Sequence, residues 1–145
     1  MRRIFVVSFI GVLIYGATVL NAGELARSEA PASAQVRILS PANGATVPAT
    51  FTVQFGLKGM GIAPAGNNIP GTGHHHLLVD NQSTPDFDRP LPANQNVIHF
   101  GKGQTETELT LAPGEHTLQL LLGDFLHIPH DSPVLSEKIT VTVVQ

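Results

Sequence analysis

From residue 35 onward apolar and polar residues alternate with period two, no stretch carries a helical stripe, and turn-forming residues recur at short intervals. These three observations predict an all-β fold. The spacing fits an immunoglobulin-like antiparallel β-sandwich of about seven strands, with residues 35–145 as one domain. Gln35–Leu39 is the first strand, stopped by Ser40-Pro41-Ala42-Asn43-Gly44, where proline fixes φ and glycine admits φ > 0. Phe51, Val53, Phe55 and Leu57 alternate with Thr52, Gln54 and Gly56, which predicts a half-buried second strand. A Gly/Pro/Asn-rich loop leads to the third, His74–Asp80. An irregular stretch with Pro85, Pro90 and Pro92 follows.

Val97–Phe100 and Gln104–Leu111 are the fourth and fifth strands. After the turn Ala112-Pro113-Gly114, the sixth, Glu115–Gly123, places His116, Leu118, Leu120 and Leu122 on one face. A loop holding His127 and His130 precedes the seventh, Val134–Val144. The expected core is Phe51, Val53, Phe55, Leu118, Leu120, Ile139 and Val141, buried between two sheets.

The N-terminus reads differently. Arg2 and Arg3 precede a mostly apolar run, Ile4–Leu20, and small residues follow at Asn21-Ala22-Gly23. This is the pattern of an export signal, residues 1–22, cleaved after Ala22. The same run is about long enough for a short membrane anchor, which is the alternative. Residues 23–34, with no apolar periodicity, read as a disordered leader. The expected location is periplasmic or secreted, with no membrane span after cleavage.

No cysteine is present, so disulfides, thiolate ligands and an N-terminal lipidated Cys are all excluded. Removing Arg2 and Arg3 from the eight Lys and Arg leaves six against eleven Asp and Glu, with no basic run. Nucleic acid and anionic membrane surfaces are therefore poor partners.

Chemistry is concentrated in seven histidines, three of them consecutive in Gly73-His74-His75-His76-Leu77-Leu78-Val79-Asp80. In a strand His74 and His76 point the same way, with Cβ atoms about 6–7 Å apart, while His75 shares its face with Leu77 and Val79. Two imidazoles at that spacing can converge on one ion. His127 and His130 follow the sixth strand. In such a sandwich the third, sixth and seventh strands are neighbours, so the end of the sixth lies beside the start of the third. The candidate metal ligands are therefore His74, His76, His127 and His130, with His99 next and Asp131 as a ligand or an orienting partner. His116, where a corner tyrosine often stands in such sandwiches, reads as a hydrogen-bonded corner residue instead.

Imidazole with carboxylate suits Cu(II) or Zn(II), and the near absence of methionine disfavours a soft-sulfur Cu(I) site. Ligands must be unprotonated, so affinity should fall steeply below about pH 6, near the unperturbed imidazole value. A plain hydrogen-bonded histidine network with no ion would have the same spacing.

At Gly73–Asp80, His99–Glu106 and Leu111–His130 the chain resembles an uncharacterised family of short exported bacterial proteins, a domain of unknown function. Its members are sometimes labelled rod-shape-determining. The resemblance covers about residues 35–144 and implies no established activity. A rod-shape label would describe a protein with many membrane spans, whereas this chain has one apolar stretch.

The sequence thus supports three readings. The first is an exported binding protein that holds Cu(II) or Zn(II) through a histidine cluster at one end of the sandwich. The second is a structural or interaction module of the cell envelope with a protein partner and no metal. The third is a metalloenzyme, for which Glu106 and Glu108 are the available bases, with nothing placing either near the cluster. Cysteine is absent and no serine stands in an elbow-like Gly-x-Ser-x-Gly context, so nucleophilic catalysis has no support. Gly101-Lys102-Gly103-Gln104-Thr105 has the wrong glycine spacing for a phosphate loop.

Overall fold

A computed structural model describes residues 25–145, so the export signal assigned to residues 1–22 lies outside the described residues. The strands are β1 (Gln35–Ser40), β2 (Thr46–Pro48), β3 (Thr50–Lys58), β4 (Gly61–Ile62), β5 (Thr72–Val79), β6 (Val97–His99), β7 (Glu106–Thr110), β8 (Gly114–Gly123) and β9 (Ile139–Val144). One sheet runs β1-β3-β7. The other runs β2-β9-β8-β5-β4, with β6 also on β5. Among the described residues there is no helix, and hence none long and apolar enough to cross a membrane.

The alternation in β3 explains the packing. Phe51, Val53 and Phe55 are buried while Thr50, Thr52 and Gln54 are exposed. They face Leu118, Leu120 and Leu122 of β8, Leu77 and Val79 of β5, and Val141 and Val143 of β9 in one apolar cluster. All seven expected core residues belong to it. The third, sixth and seventh predicted strands are β5, β8 and β9, and they lie side by side in that order.

The last predicted strand is shorter than expected. Only Ile139–Val144 pairs as a ladder, because at residue 136 the serine hydroxyl takes the Leu120 N–H at 2.8 Å. β2 and β4, at three and two residues, are too short to leave a periodic signal.

Two departures shape the site. First, β5 is buried on both faces, from Gly73 to Val79. Its outer face is covered by the chain around residues 80–104 and 124–130, which packs a second small cluster of Leu78, Leu91, Val97 and Leu121. The unbroken runs Leu77-Leu78-Val79 and Leu120-Leu121-Leu122 are the signature of strands buried on both sides.

Second, the segment expected as a disordered leader is docked from Arg27 to Ala30. Arg27 donates to the carbonyls of Pro129 (3.0 Å) and His130 and pairs with Asp88 at 3.1 Å. Ser28 Oγ donates to Asp124 Oδ2 at 2.7 Å, and Asp131 Oδ1 takes the Ala30 N–H at 3.1 Å. These contacts are polar, so hydrophobic periodicity gave no sign of them.

Candidate metal centre

The site is built on β5, which pairs with β8 along one edge and with β4 and β6 along the other. There His76 stands directly across from His99 of β6, while on the other side His74 stands across from Gly123, the last residue of β8. Because side chains alternate along a strand, His74 and His76 both project from the outer face and His75 turns inward. His75 packs against Phe55, ring centroids 5.0 Å apart, and its Nδ1 meets the Gln104 carbonyl at 3.3 Å.

The chain leaving β8 folds back at once through a bridge between Gly123 and Pro129, which swings His127 over the same outer face. His127 holds a left-handed φ of 66°, a conformation that costs a non-glycine residue of order 1–3 kcal/mol. Asp124 holds it there. This fully buried carboxylate accepts the N–H of Leu126 (2.8 Å) and of Ile128 (3.0 Å) on Oδ1 and the Ser28 hydroxyl on Oδ2. The His127 carbonyl accepts the Leu91 N–H at 2.8 Å, tying the turn to the covering loop.

His74, His76, His99 and His127 therefore meet, each offering a ring nitrogen such that the four atoms lie within 4.8 Å of one another. His74 Nε2 is 3.1 Å from both His127 Nδ1 and His99 Nε2. Nitrogens on a tetrahedral zinc with bonds of about 2.0–2.1 Å stand roughly 3.3 Å apart, so this spacing is of the right size. His74 and His76 are completely buried, and His99 and His127 are half-exposed, so the group opens to solvent on their side.

The hydrogen bonding inside the group is incomplete. A neutral imidazole has one N–H and one lone pair. Neither nitrogen of His76 has a partner, and neither does Nδ1 of His74. His74 Nε2 has a single in-plane site and two neighbours, so it cannot donate to one and accept from the other.

Burial holds these rings neutral. Desolvation first, then the neighbouring His127 and His99, lower the His74 pKa to about 4. Desolvation first, then His74, His99 and His127, lower His76 to about 2, and desolvation followed by His127 lowers His99. Their lone pairs are available at neutral pH. His74 takes up a proton only near pH 4, below the unperturbed imidazole value.

His130 and Asp131 stand outside the group. His130 Nε2 donates to the Thr72 carbonyl at 3.2 Å, three residues beyond His127 on the returning side of the loop. The exposed Asp131 carboxyl is held below its usual range by the N–H groups of Ser132 and Ala30. At the corner His116 Nδ1 lies 2.7 Å from Asp80 Oδ2, and Nε2 lies 2.8 Å from the Ala112 carbonyl. Glu106 and Glu108 are exposed on β7, in the opposite sheet, so neither supplies a base.

Asp124 was legible only as a loop residue. Its signal is the Asx turn itself, an aspartate bonding the N–H groups two and four residues on.

No curated protein and no solved structure matches the chain. Residues 53–144, which contain all four clustered histidines, match the family model described as Domain of unknown function (DUF4399), and the chain belongs to that family.

Proposed function

We propose that this protein is an exported, immunoglobulin-like binding protein that holds Cu(II) or Zn(II) outside the cytoplasm, for storage, delivery or protection. The ligands are His74, His76, His99 and His127. One observation carries the reading: a fully buried histidine, His76, with both ring nitrogens unpaired, set among three others whose nitrogens converge. A plain network would pair those atoms, because an unpaired buried donor costs about 1–3 kcal/mol. An ion accepts a lone pair from every ring at once, which hydrogen bonds among four neutral imidazoles cannot do.

An all-imidazole set with no thiolate suits copper and zinc and disfavours the hard cations that take oxygen ligands. The test is elemental analysis of untagged protein, followed by titration with Zn(II) and Cu(II) and melting with and without each ion. Stoichiometric uptake with a raised melting temperature is expected. An unchanged melting temperature at saturating concentrations of both ions would leave the envelope interaction module as the better account.

A further inference from the structure

Gly101 lies two residues beyond His99, in a Gly-Lys-Gly stretch whose glycines have no phosphate to hold. The two glycines serve different ends. Gly103 has a positive φ of 83° and makes the turn. Gly101 does not need a positive φ, yet an added β-carbon there would stand 2.3 Å from Cε1 and 2.6 Å from Nε2 of His99, with Ala65 Cβ next at 3.3 Å. That Nε2 is the atom 3.1 Å from His74 Nε2.

The geometry points to Gly101 as a positioning residue for the ion: its missing side chain is the slot in which the His99 imidazole stands. The inference rests on the metal reading.

What yields when the slot is filled follows from what is held. The Gly101 carbonyl accepts the Ala65 N–H at 2.9 Å, and the N–H of Phe100 is bound to the His75 carbonyl at 3.1 Å. The backbone on both sides is thus tied to its neighbours. The His99 ring is half-exposed at the open side of the group and is the far end of a flexible side chain. A methyl group at residue 101 turns the ring out toward water and leaves the sandwich standing.

Gly123 makes the contrast. There a β-carbon would stand 2.6 Å from Cε1 of His76, whose ring is completely buried and has nowhere to go. The open half of the site is adjusted by Gly101 at small cost to the fold, a slight give at Ala65. The closed half is not adjustable.

The experiment compares untagged wild type, Gly101→Ala, His99→Ala and the double variant. Zn(II) affinity, the Cu(II) electron paramagnetic resonance spectrum and the melting temperature of the metal-free protein are measured for each. Gly101→Ala should lose about 10–100-fold in Zn(II) affinity, as changes that reorient a ligand do. Its Cu(II) spectrum should coincide with that of His99→Ala, and the double variant should bind no worse than either single one. Its metal-free melting temperature should stay within about 4 °C of wild type, the shift that roughly 1 kcal/mol produces.

Wild-type affinity and spectrum in Gly101→Ala, additive losses in the double variant, or a larger drop in melting temperature would each overturn the inference. If wild type takes up neither ion, the metal reading fails by itself, and the slot is judged on the metal-free protein. Nuclear Overhauser contacts between the His99 and His74 ring protons, present in wild type and lost in Gly101→Ala, support it. Their persistence in the variant overturns it.

Discussion

At the corner leading into β8, His116 has both ring nitrogens occupied, one by the Asp80 carboxylate at 2.7 Å and one by the Ala112 carbonyl at 2.8 Å. On the outer face of the same sheet His76 has neither occupied, although it is the more deeply buried of the two. The same side chain is drawn toward its charged form in one place and toward its neutral form in the other. The hydrogen bond to Asp80 raises the His116 pKa, whereas desolvation lowers those of His74, His76 and His99. A histidine whose bonds are complete serves the fold. His75 and His130 each lack one partner, but His76 lacks both and stands beside three other imidazoles, which is what the proposed ion requires.

The largest expected effect separates these roles directly. A ligand that binds only the folded state, at a thousand times its dissociation constant, adds about 4.1 kcal/mol of stability. Saturating Zn(II) or Cu(II) should add stabilisation of that order to wild type and to His116→Gln. It should add none to the His74→Ala/His76→Ala double variant. Denaturant midpoints with and without ion check this. Equal stabilisation of wild type and the double variant would erase the distinction between the two regions.

Asp124 comes next. Replacing it with Ala strands the N–H groups of Leu126 and Ile128, which should cost about 1–3 kcal/mol, chiefly for the buried donor of Ile128. It should also release the strained turn that presents His127, so metal affinity should fall about 10–100-fold. Calorimetric titration and chemical unfolding of the same variant measure both losses. Normal affinity in an otherwise destabilised variant would make Asp124 a feature of the fold alone.

His76→Leu tests the cost of incompleteness. The substitution removes two unpaired buried nitrogens, so the metal-free protein should gain about 1 kcal/mol while metal binding is lost. A residue whose removal stabilises the fold is retained for another reason. If His76→Leu instead lowers metal-free stability, the cluster belongs with His116 as a packing device.

Much of this contrast is visible in the sequence, for identifiable reasons. Period two separates His75 from His74 and His76, and neighbouring strands bring the loop after β8 over the start of β5. The role of His99 is less visible, because it depends on a three-residue strand, β6, pairing with the edge of β5 away from β8. His130 looks equivalent to His127 when only the loop is read. The bridge between Gly123 and Pro129 turns the two to different sides, and that pairing has no local signal. The docked leader is invisible to periodicity because Arg27 and Ser28 hold it through two carbonyls and two carboxylates, those of Asp88 and Asp124.

The smallest effect is one of sign. His74 and His76 are lowered in the folded protein to about 4 and about 2, from 6.5 when unfolded. The unfolded chain therefore takes up protons first as the pH falls, and the stability present above pH 6.5 is lost progressively from there toward pH 4 and below. His116 is raised, so its contribution is complete below pH 6.5 and is lost as the pH rises through its folded value. In metal-free protein, His116→Gln should therefore be destabilising by about 0.5–1 kcal/mol at pH 5.5, the scale of a partly exposed ion pair, and by less at pH 8.5. His76→Leu should show the opposite trend, its advantage over wild type growing as the pH drops from 7 to 5. Unfolding midpoints of the three proteins at those pH values measure both slopes. Parallel slopes for His116→Gln and His76→Leu would mean that the corner and the cluster titrate alike, and the comparison would fail at its electrostatic root.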